Sequence, residues 1–402
     1  MLNAEFSKWS SAWAATTAAC ATALLVACGG GGDSTPEAAA VVPATASTYT
    51  QGAITGFGSV FVGGVRFDDS TASVSDDEGN SRNRSELRLG MMVELDAGNV
   101  DRSTASALAL RIRLGNEIVG PVGAINTAAS TVQVLGQTVL VTSSTIFDES
   151  LAGGLSALTA GAVVEVYGIL DPANGRVVAT RIEPKTGATV YKLRGAITGL
   201  DSTAKTFTVN GQVISYTGLP AGLVPPGLSN GQLVRVLLQT TQVNGVWVAT
   251  GLRGGLRLPE LSRRDAHVEG VISAFTSTSS FQINGLQVDA SNATFPDGTA
   301  GIVLGAKVEV EGVVTNGVLV ASKVEIEDRR PAVRELELRG ELSNLNTTAR
   351  TFALRGVTVW YGGTVTYKDG LEATLANGKR VEVKGVLSSD RTRLEARRVE
   401  FK

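Results

Sequence analysis

Ser280-Phe281-Gln282-Ile283-Asn284-Gly285-Leu286-Gln287-Val288 is the stretch that decides how this chain folds. Polar and apolar residues alternate on both sides of an Asn-Gly pair, and a period of two marks strands that bury one face. Asn-Gly readily supplies the positive φ of a tight hairpin turn, so the two runs are expected to pair as neighbours. Working outward, Val268 to Ala274 precedes the hairpin as another strand, and Lys307-Val308-Glu309-Val310-Glu311-Gly312 follows it after a looser stretch. A second Asn-Gly pair, Asn316-Gly317, turns the chain into Val318-Leu319-Val320-Ala321 and on to Ile326. The segment therefore reads as five half-buried strands.

The same score recurs five times. A glycine before a strand-like run opens each copy (Gly52, Gly120, Gly195, Gly270, Gly340), and an apolar-x-Gly-x-x-apolar hairpin follows at Val62, Val134, Val209, Ile283 and Leu354. A Gly-x-x-Val/Leu strand comes next (Gly90, Gly161, Gly231, Gly305, Gly378), and each copy closes on Ala-x-x-Ile/Leu/Val (Ala109, Ala179, Ala249, Ala321, Ala396). Successive opening glycines are 68, 75, 75 and 70 residues apart, which makes a tandem array and not one large domain. Between the third and fourth strands lie short helix-compatible patches, Ser85 to Leu89, Leu155 to Thr159 and Leu371 to Leu375. Five strands with a helical turn at that place is the topology of an OB-like barrel. The expected fold class is all-β: five small five-stranded OB-like β-barrel units at residues 50–116, 117–187, 188–262, 263–331 and 332–402. Units of about 70 residues are near the lower limit for independent stability, so contacts between neighbours are expected to help.

Gly52-x-Ile54-x-Gly56-Phe57-Gly58-Ser59-Val60-x-Val62-x-Gly64-Val65-x-Phe67, with the later Gly-x-x-Val-x-Val-x-Gly and Ala-x-x-Ile strands, resembles a bacterial domain-of-unknown-function family, number 5666, repeated along secreted lipoproteins. The resemblance covers about residues 50–402 and reads best in the first, second and fourth units. The third departs, because Val234-Arg235-Val236-Leu237-Leu238 lacks the closing glycine and a Pro-rich insertion occupies Gly218 to Gly227. The resemblance implies an envelope location and small barrels, and it brings no catalytic residues to transfer.

The amino-terminal end carries an address. Trp13 to Ala27 is a mostly apolar run, too short for a stable membrane anchor, and it ends in Leu25-Val26-Ala27-Cys28. Residues 1–27 read as a secretory signal. The last four positions resemble the lipobox of bacterial lipoproteins, whose cysteine becomes the acylated first residue of the mature chain. Cys28 is thus the expected lipidation site and the membrane the expected partner. Its three acyl chains would anchor it durably, since one chain alone holds only marginally. Cys20 leaves with the signal, so Cys28 is the sole thiol of the mature chain and no intrachain disulfide forms. Gly29 after the cysteine favours the outer membrane by the same resemblance. Residues 28–49 are small and polar without apolar periodicity, and read as a disordered tether reaching on the order of 25 Å.

The mature chain keeps a net charge of −2, from 35 basic against 37 acidic groups, and that gives no general drive toward nucleic acid. The charge is uneven: residues 28–117 carry 7 basic and 12 acidic groups, residues 329–402 carry 15 and 9. The basic end makes the fifth unit the candidate for meeting an anionic partner, a polysaccharide, lipopolysaccharide or nucleic acid, with Trp360 and Tyr361 for stacking and Arg350, Arg355 and Lys368 for charge. His267 is the only histidine, beside Arg263, Arg264 and Asp265, and reads as a solvated linker residue. Glu165, Glu309 and Glu382 repeat at one position of the fourth strand, where alternation places them facing solvent. Asp76-Asp77-Glu78-Gly79-Asn80 clusters carboxylates without the alternate spacing of a calcium loop. No nucleophile elbow, P-loop or zinc-spaced cysteine set is present, so no cofactor or metal is expected. The functional expectation is a non-enzymatic envelope lipoprotein displaying barrels as a binding or structural surface, toward an envelope polysaccharide or protein. The alternatives are a carbohydrate or anionic-polymer binder acting through the distal repeats, and a hydrolase whose carboxylates meet only in space.

Overall fold

The computed structural model describes residues 47–171, 174–254, 264–327 and 336–402. The first unit comprises β1 (Thr48–Ala53), β2 (Gly56–Phe57), β3 (Val60–Val62), β4 (Val65–Asp68), β5 (Ser73–Asp76), β6 (Met92–Ala97) and β7 (Ser106–Leu114). The second has β8 (Ile118–Asn126), β9 (Thr131–Val134), β10 (Gln137–Phe147), β11 (Val163–Asp171) and β12 (Arg176–Pro184). The third has β13 (Tyr191–Asp201), β14 (Thr206–Val209), β15 (Gln212–Ser215), β16 (Leu233–Leu238) and β17 (Trp247–Gly254). The fourth has β18 (Arg264–Ser277), β19 (Ser280–Ile283), β20 (Leu286–Asp289), β21 (Lys307–Thr315) and β22 (Val318–Ile326). The fifth has β23 (Leu336–Asn346), β24 (Thr351–Leu354), β25 (Val357–Trp360), β26 (Thr366–Lys368), β27 (Arg380–Leu387) and β28 (Leu394–Phe401).

Each unit is a closed all-β barrel of OB type. In the fourth, β18 pairs antiparallel with both β19 and β21, and β19 pairs with β20. β20 then runs parallel to β22, which returns antiparallel to β21 and closes the ring. The second, third and fifth units repeat this order. The first keeps the order, with its opening strand broken into β1 and β2. One fully buried phenylalanine anchors each barrel: Phe67, Phe147, Phe207, Phe281 and Phe352. Losing such a ring typically costs about 3–5 kcal/mol. The helix-compatible patches form single 3-10 turns at Arg84–Glu86, Gly154–Ala157 and Glu372–Thr374.

The repeated glycine that opens the fourth strand has a structural reason in every copy. Gly90, Gly161, Gly231, Gly305 and Gly378 all sit at φ between 79° and 85°, where a side chain is strained. From there each N–H donates to the apolar residue that follows the opening glycine of strand one: Ile54, Val122, Ile197, Ile272 and Leu342, at 2.8–2.9 Å. That residue's own N–H donates back to the carbonyl just after the glycine. The pair of bonds pins the fourth strand to the first and fixes barrel closure.

The array is not a string of separate beads. β1 runs parallel to β18 with Tyr49 opposite Ala266, and β2 runs parallel to β23 with Phe57 opposite Leu338. The fourth and fifth units therefore dock on the first, and the sequence-distal repeats lie beside the sequence-proximal one. Apolar side chains follow suit: the first and fifth units share one buried cluster, and the second and third share another. Tyr49 belongs to the fourth unit's core. β1 begins at Thr48, so the last two residues of the expected tether are strand, held by this cross-unit pairing.

Candidate functional site where four barrels meet

Residues of the first four barrels together line a part-open pocket of about 200 Å³. Gln51 and Glu94, cross-strand partners on β1 and β6, come from the first unit. Glu117 comes from the joint before β8, Arg194 from β13, and Ser273, Gln282 and Asn284 from the opening strand and hairpin of the fourth. Met92, Val93, Ile169, Leu170 and Leu233 supply an apolar wall.

Both carboxylates are held by arginines. Arg113 Nη1 donates to Glu94 Oε2 at 2.6 Å, and Arg194 Nη1 donates to Glu117 Oε1 at 2.6 Å. Glu117 is only 5% exposed, and its Oε2, like Arg194 Nε, is buried without a protein partner. Burial pushes the Glu94 and Glu117 carboxyls above the ordinary range, against the pull of Arg113 and Arg194. A further charged group borders the site. Lys192 Nζ donates to Asp77 Oδ1 at 2.6 Å and meets Glu78 Oε1 at 2.9 Å, while Arg235 Nη1 donates to Asp77 Oδ2 at 2.6 Å. Burial acts to raise the Asp77 carboxyl, but Lys192 and Arg235 hold it below its usual value. Burial and the neighbouring Asp77 raise Glu78. The acidic loop that reads from sequence as a carboxylate cluster thus staples the first unit to the third.

The residues singled out in the fifth unit differ in exposure. Tyr361 is 2% exposed and packs on Phe352 with ring centroids 5.7 Å apart, so it is core and offers no stacking face. Arg350 Nη2 donates to both carboxylate oxygens of Glu372, at 2.6 and 2.7 Å, and the guanidinium lies over Tyr361. Arg355 lies over Phe57 of the first unit, and Lys368 approaches Glu400 at 3.4 Å. Trp360 is half-buried beneath Arg393. The stacking role expected of Tyr361 is corrected on these contacts, because period-two alternation alone cannot tell a packed ring from a presented one.

Three further expectations are corrected. Glu165 and Glu309 are each 4% exposed: Lys185 Nζ and Tyr167 Oη donate to Glu165, and Glu309 meets His267 Nε2. Glu382 is half-buried and meets Lys402 Nζ at 3.0 Å. His267 lies on β18 opposite Thr50 of β1, against the Gly63 turn of the first unit, so it is an interface residue and not a solvated linker. Burial lowers its pKa, but the hydrogen bond to Glu309 and the charges of Glu309, Glu311 and Glu269 outweigh that and raise it. Cys28, the expected signal, most of the expected tether and the expected joints near 263 and 332 lie outside the described residues.

Tandem OB-like barrels define the class of protein. The family described as "Domain of unknown function (DUF5666)" matches residues 119–183, 194–252, 269–325 and 339–400, and the chain belongs to that family. The matches fall on the second to fifth units, including the third, although the resemblance reads best from sequence in the first, second and fourth. The first unit shares the strand order but breaks its opening strand at Ile54-Thr55. Among curated proteins none matches. One solved structure, drosophila Unr CSD456, is 14% identical, with 54% of this chain and 98% of that chain covered at a TM-score of 0.14.

Proposed function

We propose that this chain is a non-enzymatic, lipid-anchored protein of the bacterial cell envelope whose barrels assemble one compact body around a binding cavity. The observation that carries the binding part is that four different repeats contribute to one cavity, which no single repeat could form. The anchor rests on Leu25-Val26-Ala27-Cys28 after an apolar run, with Gly29 favouring the outer membrane. Changing Cys28 to Ser should move the protein out of the membrane fraction and abolish labelling by an alkyne fatty acid. Membrane retention with unchanged processing would overturn the anchor.

A second reading, a carboxylate-dependent hydrolase, has one observation in its favour: Glu94 and Glu117 line the same cavity. The arginine at each carboxylate supports the binding reading instead, since a tightly paired carboxylate is a poorer proton carrier. Recovery of an unaltered ligand after prolonged incubation supports binding, and appearance of product supports hydrolysis.

A further inference from the structure

We propose that Arg391 anchors a second ligand site, which takes a small organic anion by its carboxylate or phosphate group. The site shares no lining residue with the pocket of the first four barrels, so it goes beyond the reading above and does not rest on it.

This second pocket lies among four units. Ile54 comes from the first, Ser143 from β10 of the second, Glu269 and Lys307 from β18 and β21 of the fourth, and Ser389 and Arg391 from the turn between β27 and β28 of the fifth. It is part open, so it sets no upper size on a guest. Its charges decide the class.

Those charges do not cancel. Lys307 Nζ lies 2.5 Å from Glu269 Oε1, which matches that pair and leaves Arg391 over. Asp390, the next carboxylate along the chain, is turned to its own loop and accepts from Ser388 Oγ and from the N–H and Oγ1 of Thr392. Among the described residues the Arg391 guanidinium makes no ion pair, hydrogen bond or ring contact. Burial pushes it below its ordinary value, with no carboxylate near enough to pull it back. A partly buried cation is ordinarily matched by a counter-charge. Here its nitrogens are open to solvent, within reach of an anion that enters the pocket.

The backbone marks the same residue independently. Arg391 sits at φ 63°, and its carbonyl accepts from the Phe147 N–H of the second unit at 3.0 Å. In the matching turn the second barrel has Gly175 in the left-handed region, the third Asn244 and Gly245, and the fourth Asn316 and Gly317, residue types that suit it. The fifth keeps a long cationic side chain where glycine or asparagine is easier, and such strain clusters at functional positions.

The planar fork of a guanidinium matches a carboxylate or a phosphate with two parallel N–H···O bonds. The Ser143 and Ser389 hydroxyls, exposed and without protein partners among the described residues, add donors. Ile54, Ile146 and Leu336 give the lining an apolar part, which favours an organic anion over a bare inorganic one.

The test is calorimetric titration of the full purified chain, in detergent, with benzoate, glucuronate and glucose 6-phosphate. Acetate and inorganic phosphate serve as bare anions and glucose as the neutral control. At least one organic anion should bind, more tightly than either bare anion and more weakly as salt is raised. The two carboxylates against the phosphate ester tell which group the site prefers. Arg391→Asn removes the guanidinium at a φ that asparagine accepts, so the unliganded variant should melt no lower than the wild type while binding weakens about tenfold or more. Absence of binding by every organic anion overturns the proposal, as does equal affinity of the wild type and Arg391→Asn. Glucose bound as tightly as the anions overturns the ligand class.

Discussion

His267 is the only imidazole in the chain, and it sits where the first and fourth barrels touch. Its folded pKa is raised above the ordinary value of 6.5, with burial opposing and Glu309, Glu311 and Glu269 prevailing. A group whose pKa rises on folding adds stability that is complete below its unfolded pKa and is lost as pH climbs through the folded one. The sole histidine signal in a proton spectrum should therefore titrate above the free value, and His267→Gln should lose more stability at about pH 5.5 than at about pH 8.5. The comparison with the variant is needed because burial also raises Glu94 and Glu117, whose stability contributions fall with rising pH in the same direction. Equal losses at the two pH values would show that the Glu309 contact does not set the protonation of His267.

Among elements, the fourth and fifth strands of each barrel carry the most regular lesson. The closing glycine of strand four faces the alanine of strand five across a β-bulge: Gly168 opposite Ala179, Gly312 opposite Ala321 and Gly385 opposite Ala396. A Cβ at Gly312 would lie 2.2 Å from the Val320 carbonyl oxygen, and one at Gly385 would lie 2.3 Å from that of Glu395. Gly312→Ala should destabilise the fourth barrel by about 1–3 kcal/mol, the usual range for overpacking. Hydrogen exchange should accelerate at the β21 and β22 amides, and unchanged protection there would refute the steric account. This much was legible from sequence, because repeated glycines and Asn-Gly pairs are local backbone requirements. The interfaces were not. Alternation correctly puts Glu165 and Glu309 outside their own barrels, but outside one barrel is the flank of another joint or barrel, and period two says nothing about which. Glu117 was equally hidden, since it stands in a three-residue joint, Gly115-Asn116-Glu117, with no periodicity to read. Only the register of docked barrels brings it to Arg194.

At the scale of the whole molecule, the array is two shared cores and a fourth barrel, joined by strand pairing and buried charge. Asp77 lies at the seam between the half built from the first and fifth units and the half built from the second and third. It holds both Lys192, whose side chain is 4% exposed, and Arg235. Removing one partner of a buried ion pair typically costs about 3–5 kcal/mol, because the charge left behind stays desolvated. The coupling between halves should therefore depend on this one carboxylate. Among the described residues the tryptophans are Trp247 and Trp360, so each half carries one reporter. Trp360→Phe leaves Trp247 to report on the third unit, and Trp247→Phe leaves Trp360 to report on the fifth. With Asp77 in place, urea unfolding followed by either tryptophan should give the same midpoint, as one cooperative body requires. In an Asp77→Ala background the two midpoints should separate, with the seam opening before either core melts. Midpoints that already differ with Asp77 present, or that stay together without it, would show that the barrels are coupled through their paired strands alone.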